Sequence, residues 1–272
     1  MTDNIPVIFF HVGNPQYLRM SLMQAKERNP DSRIILFGDQ TNNNYSFVEH
    51  INIRDYETEA SKFSNIYEHL STNNKHFELL CFNRWFVINE YAKKTGLEKF
   101  FYCDSDVMLY CDITEEYEKF KDCRFTLTHN ISAGIGYFND MSAIDEYCSL
   151  CMDIFSKKEK FWYDKCCSHY ADLQRNNRGG GVCDMTVWAF FRTDTFNNPG
   201  IVGETSQIIN NSAFDHNINQ QDGYEMENGV KKIYWRGEDP YCKNIRLDRL
   251  VKFNCLHFQG LRGKQLLEQL WA

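Results

Sequence analysis

The chain has 272 residues, 43% of them hydrophobic and 25% charged, with 30 Lys and Arg against 37 Asp and Glu for a net charge of −7. That length can bury a full hydrophobic core, and the composition excludes extended disorder. The acidic balance excludes sequence-independent nucleic-acid binding, which needs a cationic surface, and no apolar stretch approaches the ~18 residues of a spanning helix.

The opening segment IPVIFFH is a continuous apolar run closed by Gly13-Asn14-Pro15, the pattern of a buried strand and a turn. It lacks the basic start of a secretory leader, so the chain is expected to be cytoplasmic, and the sequons at Asn44, Asn130 and Asn210 to carry no glycan. Tyr17 to Arg28 has helical spacing, with Leu18, Leu22 and Ala25 on one face and Pro30 closing it. RIILFGD is a second buried strand, and together these segments predict a parallel β-α-β unit. Residues 41–75 are polar, Asn-rich and aperiodic, and read as a long loop with short helices.

Helical spacing returns from Phe77 to Lys94, and Lys99 to Cys103 is another buried strand that runs into Asp104-Ser105-Asp106. RFTLTH and IGYFN are short strands separated by Ser132-Ala133-Gly134. Residues 141–160 read as helix, residues 161–181 are a mixed stretch given no element and ending in Arg178-Gly179-Gly180-Gly181, and CDMTVWAFF reads as a helix whose apolar face includes Met185, Trp188 and Phe191. Short strands fill the remainder, ending at VKFNCLHF, followed by a Gly-punctuated turn and the helix GKQLLEQLWA. The fold class predicted is α/β, with a nucleotide-binding half and a substrate-binding half fused into one core.

Eleven cysteines, an odd number with no C-x-x-C pair, argue against a disulfide scaffold and match no zinc finger or ribbon. Cys81, Cys103, Cys111, Cys123, Cys183, Cys242 and Cys255 read instead as small core residues of a reducing compartment.

The sharpest chemical feature is FFYCDSDVMLY. A buried strand ends in two carboxylates at i and i+2, and ligands of open α/β sheets bind outside the carboxyl ends of strands. Paired hard oxygens suit a divalent cation that keeps water and phosphate as its other ligands. A lone D-x-D can merely cap a turn, but the apolar strand before it makes the two acids unexpected there. A phosphatase using D-x-D as nucleophile is a rival, although Met108 stands where that pattern wants Thr or Val. The second feature is NCLHFQGLRGK. His257 ends an apolar strand and can join two carboxylates around Mn²⁺. Gly260 and Gly263 allow close backbone approach to a diphosphate that Arg262 and Lys264 would neutralise. A core histidine and an ordinary turn are the plain alternative.

The two features together resemble the GT-A glycosyltransferases, which take a nucleotide sugar and Mn²⁺, and are similar to family 8 retaining enzymes with their C-terminal H-x-x-G-x-x-K. Here His257 and Gly260 match, Lys264 stands one residue late with Arg262 intervening, and the Pro-Trp that commonly follows is absent. The resemblance implies one compact GT-A domain: a Rossmann-like, mostly parallel sheet flanked by helices. Residues 1–112 would then bind the nucleotide sugar, and residues 113–272 the acceptor together with the metal and diphosphate.

It further implies that Asp104, Asp106 and His257 hold Mn²⁺ or Mg²⁺. His11, Gly13, Asn14 and Asp39 would meet the base and ribose of a UDP-linked donor. Arg84, Ser105, Gly260, Arg262 and Lys264 would contact the donor sugar or phosphates, Arg84 being alternatively a solvated helix residue. Asp184, after Gly180 and Gly181, would act near the anomeric carbon, as catalytic base in an inverting enzyme or as sugar-positioning residue in a retaining one, or else serve the helix N-terminus. His129 and Ser132 fall on the acceptor side.

Aromatics make up 15% of the chain, and Trp162, Tyr163, Trp188, Tyr234 and Trp235 are candidates for stacking on pyranose rings or for ordinary core. The activity expected is transfer of a hexosyl or pentosyl group to a hydroxyl on a glycan or other carbohydrate-type acceptor, with retention favoured by the resemblance. A non-catalytic sugar-binding protein and a nucleotidyltransferase remain alternatives beside the phosphatase. The terminal LLEQLWA reads as a packed helix or as a peripheral membrane contact.

Overall fold

The computed structural model describes residues 4–194 and 202–270. The predicted β-α-β unit forms as β1 (Val7–Phe10), α1 (Gln16–Arg28) and β2 (Ile34–Gly38), with Val7 paired to Ile34 in parallel register. Residues 41–75, expected to be loop and short helix, also hold a strand, β3 (Glu49–Asn52), before a 3-10 turn (Ile53–Tyr56) and α2 (Thr58–Ile66). β3 escapes a periodicity reading because it is the sheet edge and carries little buried apolar surface.

α3 (Lys75–Thr95) starts where the Asn74 side chain accepts from the His76 and Phe77 amides, and ends at Gly96, whose φ of 70° closes it. β4 (Phe100–Cys103) follows, then β5 (Val107–Leu109) and the short α4 (Ile113–Glu116). Beyond lie β6 (Phe125–Leu127), β7 (Ile135–Phe138) and α5 (Met141–Phe155). The mixed stretch left without an element holds a helix, α6 (Lys160–Arg175). Only Trp162 and Cys166 of α6 are buried, so its sequence shows no apolar stripe. α7 (Asp184–Asp194) buries Trp188 and Phe191 as expected, while Met185 is half-buried.

Six strands come next: β8 (Val202–Glu204), β9 (Ser212–Phe214), β10 (Met226–Glu227), β11 (Val230–Lys231), β12 (Ile233–Arg236) and β13 (Asp239–Asn244). The chain continues through β14 (Arg249–His257) into α8 (Gly260–Leu270). The expected Gly-punctuated turn is therefore the first turn of α8, and Trp271 and Ala272 lie outside the described residues.

A seven-stranded sheet runs β3-β2-β1-β4-β7-β6-β8, parallel from β3 to β4, with β7 antiparallel to its neighbours and β8 parallel to β6. Strand alternation splits its core. Ile8, Phe10, Phe37 and Tyr102 pack on one face with Phe82, Trp85 and Phe86 of α3 and with Tyr147 and Trp188. Val7, Phe9, Leu36 and Phe101 pack on the other face with Leu18, Leu22 and Ala25 of α1. A second sheet, β12-β13-β14-β5 with β9 beside β14, has its own apolar side, where Met108, Val251, Phe253 and Leu256 meet Leu267 of α8.

The link between the sheets positions the site. β4 belongs to the first and β5 to the second, so Asp104-Ser105-Asp106 lies in the turn where the chain passes between them. All eleven cysteines are free. Cys103, Cys111, Cys242 and Cys255 are core as expected, whereas Cys81, Cys123 and Cys183 are only half-buried.

Candidate metal and nucleotide-sugar site

Asp104 leaves β4 with its amide on the Gly134 carbonyl at 2.8 Å, and its own carbonyl takes the Val107 amide at 3.1 Å, which closes the turn around Ser105 and Asp106. Beyond the turn, β5 pairs antiparallel with β14 so that Val107 stands opposite His257, and the Phe258 amide donates to the Asp106 carbonyl at 2.9 Å. Asp106 and His257, 151 positions apart in a sequence of 272, are thus neighbours through strand register.

His257 Nε2 lies 3.3 Å from Asp106 Oδ1, and Lys264 Nζ lies 3.4 Å from Asp106 Oδ2. Asp104, Asp106 and His257 each offer a ligand atom within 4.8 Å of the other two. This donor set of two carboxylates and one imidazole fits Mn²⁺ or Mg²⁺. His257 Nδ1 bonds the His216 carbonyl at 2.6 Å, which leaves Nε2 to face the carboxylates.

Burial alone would lower the His257 pKa, but the hydrogen bond and charge of Asp106, with Asp104 and Asp215 beyond, raise it to about 9. Burial would raise that of Asp106, and the His257 bond with the charges of His257 and Lys264 outweighs it, so Asp106 is held below the usual carboxylate range. Burial dominates at Asp104, whose pKa rises despite Arg84.

Arg84 is a buried bridge and not a solvated helix residue. Its Nη1 donates to Asp104 at 2.6 Å and to the Tyr102 hydroxyl at 3.0 Å, and its Nη2 donates to Asp184 at 2.5 Å. Asp184, 2% exposed at the start of α7, also accepts from the Trp85 indole at 3.0 Å. Gly181 before it is required by close approach of the chain: a Cβ there would stand 2.2 Å from the Leu70 carbonyl oxygen.

On the β1 side, His11 Nδ1 bonds Ser105 Oγ at 2.8 Å. Burial, then the charge of Lys264, lowers the His11 pKa to about 4, so its ring is neutral near pH 7. Asp39 accepts from the Gly13 amide at 3.1 Å and the Thr41 amide at 2.8 Å, tying the loops after β1 and β2 together. Asn14 accepts from the Tyr45 hydroxyl and, with Arg19, Tyr45 and Phe47, lines a cleft of about 460 Å³ at those strand ends.

The two basic residues of α8 separate. Lys264 reaches Asp106 and lies over the Tyr17 ring at 4.9 Å, whereas Arg262 is exposed and donates to the Asn228 carbonyl, away from the carboxylates. They stand two residues apart in α8, about 200° around the helix axis, and so on opposite faces, where an irregular turn would have left both free to converge. Gly263 is needed because a Cβ would meet the Phe258 carbonyl at 2.5 Å. Of the aromatic candidates, Trp162 and Trp188 are core, Tyr163 bonds Glu68 at 2.8 Å, and Tyr234 and Trp235 lie on β12, apart from the carboxylates.

The sequence reading missed a buried lysine. Lys231 Nζ donates to Asp215 and the Asn217 carbonyl at 2.7 Å and to Asp222 at 2.8 Å. Asp215 in turn accepts the His257 amide at 3.1 Å, so this ion network fixes the segment that holds the imidazole. No local pattern announces it, since Lys231 stands in a two-residue strand and its partners in a loop.

The chain is similar in structure to the apo form of mouse xyloside xylosyltransferase 1, with 8% identity and TM-score 0.50 over 77% of this chain and 87% of that one. It is also similar to the apo structure of WbbM, a bifunctional glycosyltransferase, with 11% identity and TM-score 0.51 over 96% of this chain and 47% of that one. No family model matches the sequence, and no curated protein matches it significantly. The likeness is one of architecture, and the mixed sheet with helices on both faces is the GT-A fold.

Proposed function

We propose that the protein is a metal-dependent, retaining glycosyltransferase that moves a sugar from a UDP-linked donor to a hydroxyl of a carbohydrate-type acceptor. The observation that carries the reading is the convergence of Asp104, Asp106 and His257 within 4.8 Å of one another at the carboxyl end of β4. A Mn²⁺ ion bound there supplies Lewis-acid stabilisation of the charge that develops on a departing diphosphate.

Lys264 stands on the far side of Asp106, where its ammonium adds a further positive charge for that diphosphate. The cleft around Asn14 and Tyr45 receives the base and ribose, and neutral His11 orients Ser105 at the diphosphate end. Arg84 takes its charge from Asp104 to Asp184 and holds both carboxylates in place under the donor sugar. Arg84 and Trp85 both donate to Asp184 Oδ2 and fix its carboxylate in place, which supports a sugar-positioning role for it.

Retention, favoured by the resemblance, accords with that role. The acceptor oxygen bonds to the anomeric carbon on the face the diphosphate leaves, and the bond from that carbon to the diphosphate oxygen breaks. Its electron pair stays with the nucleoside diphosphate, which also takes the acceptor's proton. A cytoplasmic site of action accords with this donor chemistry, and among the described residues no helix is long and apolar enough to cross a membrane.

The test is release of nucleoside diphosphate from a panel of nucleotide sugars with Mn²⁺, with and without EDTA, by wild type and Asp106→Ala. Slow hydrolysis of one donor, abolished by EDTA and reduced about 10²–10³-fold by the substitution, is the expected result. Release of pyrophosphate or of free phosphate would replace this reading with nucleotidyl transfer or phosphate hydrolysis. Donor binding without turnover, even with acceptors present, would make the chain a sugar-nucleotide-binding protein.

A further inference from the structure

Helix α1 and strand β5 each run from the metal site to a second cleft. Tyr17 meets Lys264 at the first turn of α1, and Gln24, Glu27 and Arg28 share one face of its second half, about 10 Å further along the axis. β5 leaves Asp106 and leads to Tyr110, about 13 Å away. Trp235 of β12, the edge strand of the second sheet, and Glu238 in the turn after it face these residues around a volume of about 270 Å³.

The walls of this cleft combine an open aromatic plate with polar groups that lack partners. Trp85, Trp162 and Trp188 are core, whereas Trp235 is 45% exposed, its ring centroid 5.7 Å from that of Tyr110 and its plane at 65° to it. Gln24 and Tyr110 are 5% and 6% exposed, yet neither the amide nor the hydroxyl has a hydrogen-bond partner among the described residues. Arg28 Nε is also buried without one. Burial raises the Tyr110 pKa against the opposing charge of Arg28, so the hydroxyl lies on the Arg28 side of the cleft. Buried polar groups are seldom left unpaired, and such groups beside a cleft favour a ligand that supplies the missing bonds.

We propose that this cleft is a second, non-catalytic ligand site for one unit of an uncharged saccharide, with the sugar ring on Trp235 and its hydroxyls on Gln24 and Tyr110. The apolar face of a pyranose packs on an indole, and a sugar hydroxyl both donates and accepts, as do the amide and the phenol it meets. Charge argues against ions of either sign. Arg28 is paired with Glu238 at 2.9 Å and Asp239 at 3.8 Å, so an anion finds the guanidinium occupied and the carboxylates of Glu27 and Glu238 beside it. An ammonium offers donors alone, which leaves the amide hydrogens of Gln24 unpaired. The site lies outside the metal centre, so the inference goes beyond the glycosyltransferase reading and does not rest on it.

The experiment follows the tryptophan indole N–H resonances of the EDTA-treated protein by NMR. The titrants are glucose, galactose and mannose, each beside its uronic acid and its hexosamine. Trp235→Phe assigns the signal, Trp235→Ala removes the plate at an exposed position, and Gln24→Ala and Tyr110→Phe each remove one polar group. The proposal expects the Trp235 signal to shift with at least one neutral sugar, and the matching uronic acid and hexosamine to bind at least tenfold more weakly. Affinity for that sugar is expected to fall about tenfold in Trp235→Ala and severalfold in Gln24→Ala and Tyr110→Phe. Trp235→Ala keeps the test decisive should the buried Gln24 substitution fail to fold.

A Trp235 signal that no neutral sugar moves would overturn the proposal, as would unchanged affinity in Trp235→Ala or a charged sugar bound as tightly as its neutral parent. Sugar binding abolished by Asp106→Ala would place the sugar at the metal centre and overturn it too. Donor hydrolysis, measured on the same samples with Mn²⁺ restored, separates the two readings. Turnover without indole shifts removes this site alone, whereas sugar binding at Trp235 in a protein that hydrolyses no donor keeps this site and removes the transferase reading.

Discussion

Arg84 and Asp184, one hundred residues apart, meet through a 2.5 Å contact in the protein interior, where the guanidinium spans from Asp184 to Asp104. The side chains of Arg84 and Asp184 are 11% and 3% exposed, so this pair is held in low-dielectric surroundings. Removing its cation leaves buried carboxylates without a counter-charge.

Arg84→Met is therefore expected to destabilise the fold by about 3–5 kcal/mol in urea unfolding. Arg84→Lys is expected to recover little of this loss, because a single ammonium cannot span both carboxylates as two guanidinium nitrogens do. A Lys variant as stable as wild type would show that the bridge contributes only charge.

The raised pKa of His257 makes the metal-free protein pH-sensitive in a defined direction. A group at about 9 in the fold, against 6.5 unperturbed, contributes stability that is fully present below pH 6.5 and is lost as pH rises through 9. His11, lowered to about 4, works oppositely, and its contribution is lost as pH falls from 6.5 towards 4. Thermal melting of the EDTA-treated protein should show the alkaline loss in wild type and a flatter profile from pH 6.5 to 9 in His257→Gln. Parallel profiles would refute the assignment.

The Gly134 carbonyl accepts the Asp104 amide, and a Cβ at this position would stand 2.3 Å from Asp104 Oδ2. Gly134→Ala should therefore push the carboxylate out of register while leaving the strands paired. The expectation is about tenfold or greater weakening of Mn²⁺ binding, measured by electron paramagnetic resonance, with circular dichroism unchanged. Wild-type Mn²⁺ affinity in this variant would count against Asp104 as a ligand.

Lys231 holds the segment that positions His257, through Asp215 and the neighbouring His216 carbonyl. Substitutions in the outer shell of a metal site typically cost 10–100-fold in affinity. Lys231→Met is expected to weaken Mn²⁺ binding by that factor and to lower stability as well, since it strands Asp215 and Asp222. Asp222→Asn, which leaves the Lys231–Asp215 pair intact, should spare most of the stability. If both variants bind Mn²⁺ as wild type does, the network supports the fold alone.

The sequence by itself determined the α/β class, the first β-α-β unit and the placement of Asp104 and Asp106 after a buried strand. Each rests on local apolar runs and on residues adjacent in the chain. It left β3 and α6 invisible because an edge strand and a mostly exposed helix bury too little to imprint a period. Tertiary structure alone decided that His257 and Lys264 reach Asp106 while Arg262 turns away, since strand pairing between β5 and β14 and the roughly half turn of helix between Arg262 and Lys264 set those positions. It decided likewise that Arg84 is buried between two acids and that Lys231, Asp215 and Asp222 form one network. Such pairings join residues that are distant or irregularly spaced in the chain, and only the packing of the two sheets brings their charges within reach.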